Sequence, residues 1–152
     1  MRYLKPKILY PKHNMYDIEL ITRIRKEYND FLQSCISQID KNLYDLYLDT
    51  DRLHDYKIKR ISYENNKKCS LELVLTDYEE EKEVILLFRE VYKFNCRYKV
   101  SEQDFSFFLS EEEEIIITEI GYIKGKNYLS LYTQKGTNID IYFTQLCYQF
   151  LN

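Results

Sequence analysis

Tryptophan is absent from this 152-residue chain, and glycine, proline and histidine are scarce, with three, two and two copies. Gly121, Gly125 and Gly136 stand too few and too far apart to cradle a phosphate, and neither the dinucleotide fingerprint nor the P-loop spacing occurs. The nucleophile elbow and the paired-histidine zinc motif are missing as well. With only His13 and His54, a histidine-based triad or a multi-histidine metal site lacks members. Cys35, Cys69, Cys96 and Cys147 are scattered without a C-x-x-C pair, so they read as buried free thiols, not metal ligands. No window approaches the ~20 apolar residues of a membrane span. The stretch from Met1 to Asn14 has no apolar run fit for a signal peptide. Free thiols without an export signal point to a cytoplasmic protein. Neither a cofactor, a metal nor a membrane is expected as a partner.

What the chain does have is an aromatic load, 16 tyrosines and 8 phenylalanines, that sets it apart from disordered sequences. At this length folding buries roughly two-thirds of the surface of the unfolded chain, enough for a core without crosslinks. The net charge of −3 is uneven, because Arg2, Lys5, Lys7 and Lys12 are unopposed by any acid near them and the remainder is more acidic. Such a body repels nucleic-acid phosphates. Residues 1–14 read as an extended basic leader held open by Pro6 and Pro11, and residues 15–152 as a single domain.

From Met15 to Leu48 the apolar residues fall at helical spacing, among them Ile18, Ile24, Tyr28, Leu32, Cys35, Ile39, Leu43 and Leu46. One long amphipathic helix, or two with a break near Asp40 to Asn42, follows, with Arg23, Lys26, Asp30 and Lys41 facing water. Beyond Asp51 the period becomes two, so residues 55–150 are predicted to form an antiparallel sheet of about six strands. Glu64 to Lys68, Asp77 to Glu81, Lys124 to Asn127 and Gln134 to Asn138 supply its polar turns. Ile61-x-Tyr63, Leu71-x-Leu73 and Val84-x-Leu86-x-Phe88-x-x-Val91 are echoed by Ile120-x-Tyr122, Leu129-x-Leu131 and Ile139-x-Ile141-x-Phe143-x-x-Leu146. These are either two repeated three-stranded meanders or strands that look alike because all alternate. The expected fold is α+β, helix on sheet, with Phe105, Phe107, Phe108 and Leu109 between the units as an edge strand or an apolar plug.

His54 beside Asp55 is the pair most like a general-base device, but neighbours in an extended segment point to opposite faces and cannot readily hold each other. Glu79, Glu80 and Glu81, and the run from Glu111 to Glu114, are consecutive acids at turns, which splay into water or present an acidic rim to a basic partner. Tyr122, Tyr128, Tyr132, Tyr142 and Tyr148 crowd the last strands. Tyrosine anchors many protein interfaces, and it equally suits half-buried strands.

Leu53-His54-Asp55-x-x-Ile58, followed by alternating strands as far as Phe94, resembles an opening seen in small uncharacterised proteins of low-G+C bacteria, some of them immunity proteins of polymorphic toxin systems. Tyr56 departs from that pattern, which more usually has a small polar residue there. The resemblance implies a sheet-rich domain and an inhibitory role, and it carries no functional residues over. Together these features lead to the expectation of a non-enzymatic protein-binding module, such as a cytosolic immunity or inhibitor protein of a basic toxin. Tyr128, Tyr132, Tyr142, Tyr148, Glu79, Glu80, Glu81, His54 and Asp55 are the expected contact residues. The alternatives are a self-assembling structural protein that pairs strand edges between copies, and a small-ligand binder or enzyme with a pocket between helix and sheet.

Overall fold

The computed structural model describes residues 2–9, 17–64, 69–77, 79, 82–97 and 113–151. A single turn of helix, α1 (Pro6–Leu9), precedes α2 (Ile18–Cys35). The Asp17 side chain caps α2 by accepting from the Leu20 N–H at 2.9 Å, satisfying one of the donors that a helix start leaves open. Ile24, Tyr28, Leu32 and Cys35 form its buried face, while Ile18, expected to pack, is 74% exposed. Arg23, Lys26, Asp30 and Lys41 do face solvent. Of the two helical expectations the broken one holds. A 3₁₀ turn (Ile36–Gln38) and an extended Ile39 end α2, and Asp40 caps α3 (Lys41–Asp49) by accepting from the Leu43 N–H.

The sheet has eight strands, not about six: β1 (Lys57–Glu64), β2 (Ser70–Thr76), β3 (Glu83–Arg89), β4 (Lys93–Arg97), β5 (Glu113–Ile123), β6 (Lys126–Thr133), β7 (Asn138–Phe143) and β8 (Gln145–Leu151). The strands run in the order β4-β7-β6-β5-β1-β2-β3-β8, every ladder antiparallel. Each expected meander is present, as β1-β2-β3 and as β5-β6-β7. The missed strands are the fourth of each unit, and they are exchanged: β4 leaves the first meander to pair with β7, and β8 leaves the second to pair with β3. A bulge interrupts the first strand of both units, between Ile58 and Arg60 and between Ile115 and Ile117. The units correspond with one adjustment of register. Tyr63 lies opposite Leu71 as Ile120 lies opposite Leu129, so Tyr63, not Ile61, is the counterpart of Ile120.

Between β1 and β5, where the halves meet, the ladder among the described residues is two pairs long, Lys57 with Glu114 and Ile58 with Glu113. Phe88 of β3 and Phe143 of β7 nevertheless meet edge to face, ring centres 4.9 Å apart. The sheet therefore curls until its halves face each other. Leu71, Leu73, Leu75, Val84, Leu86 and Leu146 from one half and Leu129, Leu131, Ile139 and Ile141 from the other are fully buried between them, with Leu43, Leu46 and Leu53 in the same cluster. Each such side chain contributes about 1.5–3 kcal/mol on leaving water.

Two further expectations change. The N-terminal arm is not a solvated extended leader: the backbone N–H groups of Arg2, Tyr3 and Leu4 donate to the Glu119 carboxylate at 2.9–3.1 Å, and Tyr3 stacks on Phe31. Pro6, read as holding the chain open, occupies the first position of α1, where its missing N–H costs nothing. Residues 10–14 lie outside the described residues, as do Phe105, Phe107, Phe108 and Leu109. Of the four free thiols only Cys35 is buried; Cys96 on β4 is exposed, and Cys69 and Cys147 are half-buried.

Candidate functional site

After α3, Thr50 turns the chain: its hydroxyl donates to the Leu46 carbonyl at 2.6 Å and accepts from the Leu53 N–H. Asp51, Arg52 and Leu53 then all take positive φ, at 43°, 66° and 56°, and Asp55 follows at 65°. A left-handed turn of three non-glycine residues is strained by roughly 1–2 kcal/mol each, and such strain gathers at functional sites. Its consequence is local and specific. Because Asp55 is left-handed and not extended, His54 and Asp55 fall on the same side, and His54 Nδ1 lies 2.7 Å from Asp55 Oδ1. The two side chains therefore do not point to opposite faces as expected, because strand alternation begins only at Lys57.

The turn forms one lip of a cleft of about 320 Å³, lined by Leu4 and Leu9 of the arm, Arg25, Tyr28 and Asn29 of α2, Tyr47, Asp51, Arg52 and His54, and Ile116, Ile117 and Thr118 of β5. The cleft lies where β5 parts from β1. On one side of the parting, Ile115 exchanges backbone hydrogen bonds with Asp55 and Tyr56. On the other, the buried Tyr28 hydroxyl donates to the Ile120 carbonyl and accepts from its N–H, taking the place of a strand. Burial, reinforced by the neighbouring Tyr47, pushes the Tyr28 phenol well above the ordinary tyrosine range, and burial raises Tyr47 as well. Both phenols stay protonated at neutral pH, as hydrogen-bonding groups.

The other expected contact residues separate. Tyr128 is buried, 1% exposed, and its hydroxyl donates to Glu119. It is therefore an internal strut and not an interface anchor. Tyr142 stacks on Tyr128 under the Lys93 ammonium, and Tyr132 is half-buried nearby on β6. Glu79 is exposed in the turn between β2 and β3, and Glu80 and Glu81 lie outside the described residues. Tyr148 sits on β8, at the far end of the sheet, edge to face with Phe150, which is 41% exposed.

That edge is the second notable feature. Gln145–Leu151 carries no charge, and among the described residues no strand pairs with its outer side. The Asn42 side chain of α3 donates to the Leu146 carbonyl, so the helix lies against the start of this strand. Asp45 and Asp49 of α3 stand close enough to Tyr148 to add to the burial that raises its phenol. Leu48, 58% exposed, lies on the outer side of the same helix. By contrast the opposite edge, β4, carries Lys93 and Arg97, the charged protection usual for an unpaired strand. Sequence reasoning missed the β8 edge because β8 follows β7 after Thr144 alone and reads as its continuation.

Among the described residues, no group of three or more His, Cys, Asp or Glu could hold a metal ion, and no helix is long and apolar enough to cross a membrane. The chain matches no known family model and no curated protein sequence.

Proposed function

We propose that this protein is a non-enzymatic binding module that takes up a basic protein partner along the outer edge of β8. The observation that carries the reading is an uncharged strand edge, with half-exposed aromatics, lying beside acids. A partner strand added there gains main-chain hydrogen bonds from the ladder and side-chain contacts at alternate residues. Tyr148 and Phe150 provide the apolar contacts, and Asp45 and Asp49 favour lysine or arginine and speed encounter. A cytosolic inhibitor of the immunity kind, masking a basic toxin, is the specific form we favour. It rests on this acidic edge together with the sequence resemblance over residues 53–94.

The wild-type chain, used as bait in the cells that make it, is expected to retain a basic protein directly, and Phe150→Lys or the pair Asp45→Lys and Asp49→Lys to lose it. Arg97→Glu on the opposite edge should retain it. Equal retention by all variants, or light scattering showing the free protein already paired with itself through β8, would count against the proposal.

A further inference from the structure

The cleft beside the left-handed turn carries a separate inference, independent of β8. Arg25 and Arg52 both line it, and among the described residues neither guanidinium is paired with a carboxylate: Arg52 lies only over the Tyr47 ring, at 5.8 Å. Asn29 lines it as well. So does Thr118, whose buried hydroxyl has no hydrogen-bond partner. A buried polar atom without a partner is destabilising, and a site that keeps one open is suited to a ligand that supplies it. Asp51 is the one acid among the described residues of the lining, and His54 faces Asp55. Two guanidinium forks thus stand against one carboxylate on the lining, in a chain whose net charge is negative.

We infer that the cleft binds a small oxyanion, the phosphate or carboxylate group of a metabolite, held between Arg25 and Arg52 with Asn29 and Thr118 as further hydrogen-bonding groups. Arginine suits this task because its planar fork matches a carboxylate or phosphate in two parallel hydrogen bonds. The strain at Arg52 fits the same purpose. A right-handed continuation of α3 would carry this side chain elsewhere, and the left-handed turn sets it on the lip.

The test titrates the full chain with inorganic phosphate and, in a separate series, with malonate, following the amide NMR spectrum. Saturable shifts confined to Arg25, Asn29, Arg52 and Thr118 and their neighbours are expected, and the stronger of the two anions identifies the chemistry. Replacing Arg25→Gln together with Arg52→Gln should weaken binding by about tenfold or more. Thr118→Val, which keeps the shape and removes the unpartnered hydroxyl, should weaken it while leaving the melting temperature unchanged or higher. Absence of saturation with either anion, shifts scattered over the surface lysines, or wild-type affinity in either variant would overturn the assignment.

Discussion

Gly121 shows how one missing side chain sets the packing of α2 on the sheet. A Cβ at this position would lie 2.6 Å from Phe31 Cε1 and 2.7 Å from Tyr128 Cε1, closer than such atoms approach. Gly121→Ala must push both rings aside, and a cost of about 1–3 kcal/mol is expected, measured by urea unfolding; a neutral result would mean that the rings have room to move. Those same rings belong to a tyrosine-rich interior whose ionisation is pH-linked. Burial foremost holds Tyr28 and Tyr128 above their ordinary value, about 10 in an unfolded chain. The native state thus keeps protons that the unfolded state releases, so stability is full below about pH 10 and falls as pH rises beyond it. Exposed Tyr92 behaves oppositely, because hydrogen bonds with Lys126 and Thr144 lower its phenol. In an absorbance titration Tyr92 should ionise early in the folded protein, and Tyr28 and Tyr128 only together with loss of the far-ultraviolet signal. Full tyrosine ionisation before unfolding would contradict this order.

Helices and strands were legible where periodicity alone decides them, and less so where a tertiary partner does. The apolar stripe from Ile24 to Cys35 and the alternation in β2 and β3 follow directly from side-chain spacing. β4 has no such pattern: Phe94 is its only large apolar side chain, and pairing with β7 makes it a strand. The turn expected over Lys124 to Asn127, marked in the sequence by Gly125, is present but shorter: only Lys124 and Gly125 lie between β5 and β6, both at positive φ as a hairpin loop of this length requires. The arm was misread for a different reason. Glu119 alternates with Thr118 and Ile120 and looks like the solvent side of β5, yet it is fully buried because Arg2, Tyr3 and Leu4 cover it. Nothing local in either segment announces the other, more than a hundred residues away in the chain. Glu119→Gln replaces one acceptor oxygen by an amide that faces the same donors. We expect it to undock the arm, raising amide exchange at Arg2, Tyr3 and Leu4 and lowering stability by about 1–3 kcal/mol. Because Leu4 and Leu9 wall the cleft, anion binding should weaken with it. Exchange as slow as in the parent would show that the arm has another anchor.

The exchange of β4 and β8 ties the molecule into one unit that its linear order conceals. Read along the chain, the two meanders look like consecutive halves, each able to fold when complete, and the candidate sites look like local motifs. In space neither half owns its outer strand: the first meander is closed by β8 and the second by β4. The same holds for the sites. The β8 edge takes its acids from α3, and the cleft combines the arm, α2, the turn after α3 and β5, so among its lining residues only His54 stands out in the sequence as a candidate. Asn127 repeats the theme at the helix break, accepting from the Asp40 N–H and donating to the Thr144 carbonyl between β7 and β8. Unfolding should accordingly be one transition, because removing either exchanged strand bares the core edge of the other half. Near- and far-ultraviolet circular dichroism are expected to give coincident urea curves. Folding should fall among the slower sheet proteins, since pairs such as Phe88 with Leu146 join distant segments. A chain ending at Thr144, which lacks β8, should not fold although both meanders are intact in its sequence. A cooperative transition in that truncated chain, or two separate steps in the full one, would show that the halves are independent after all.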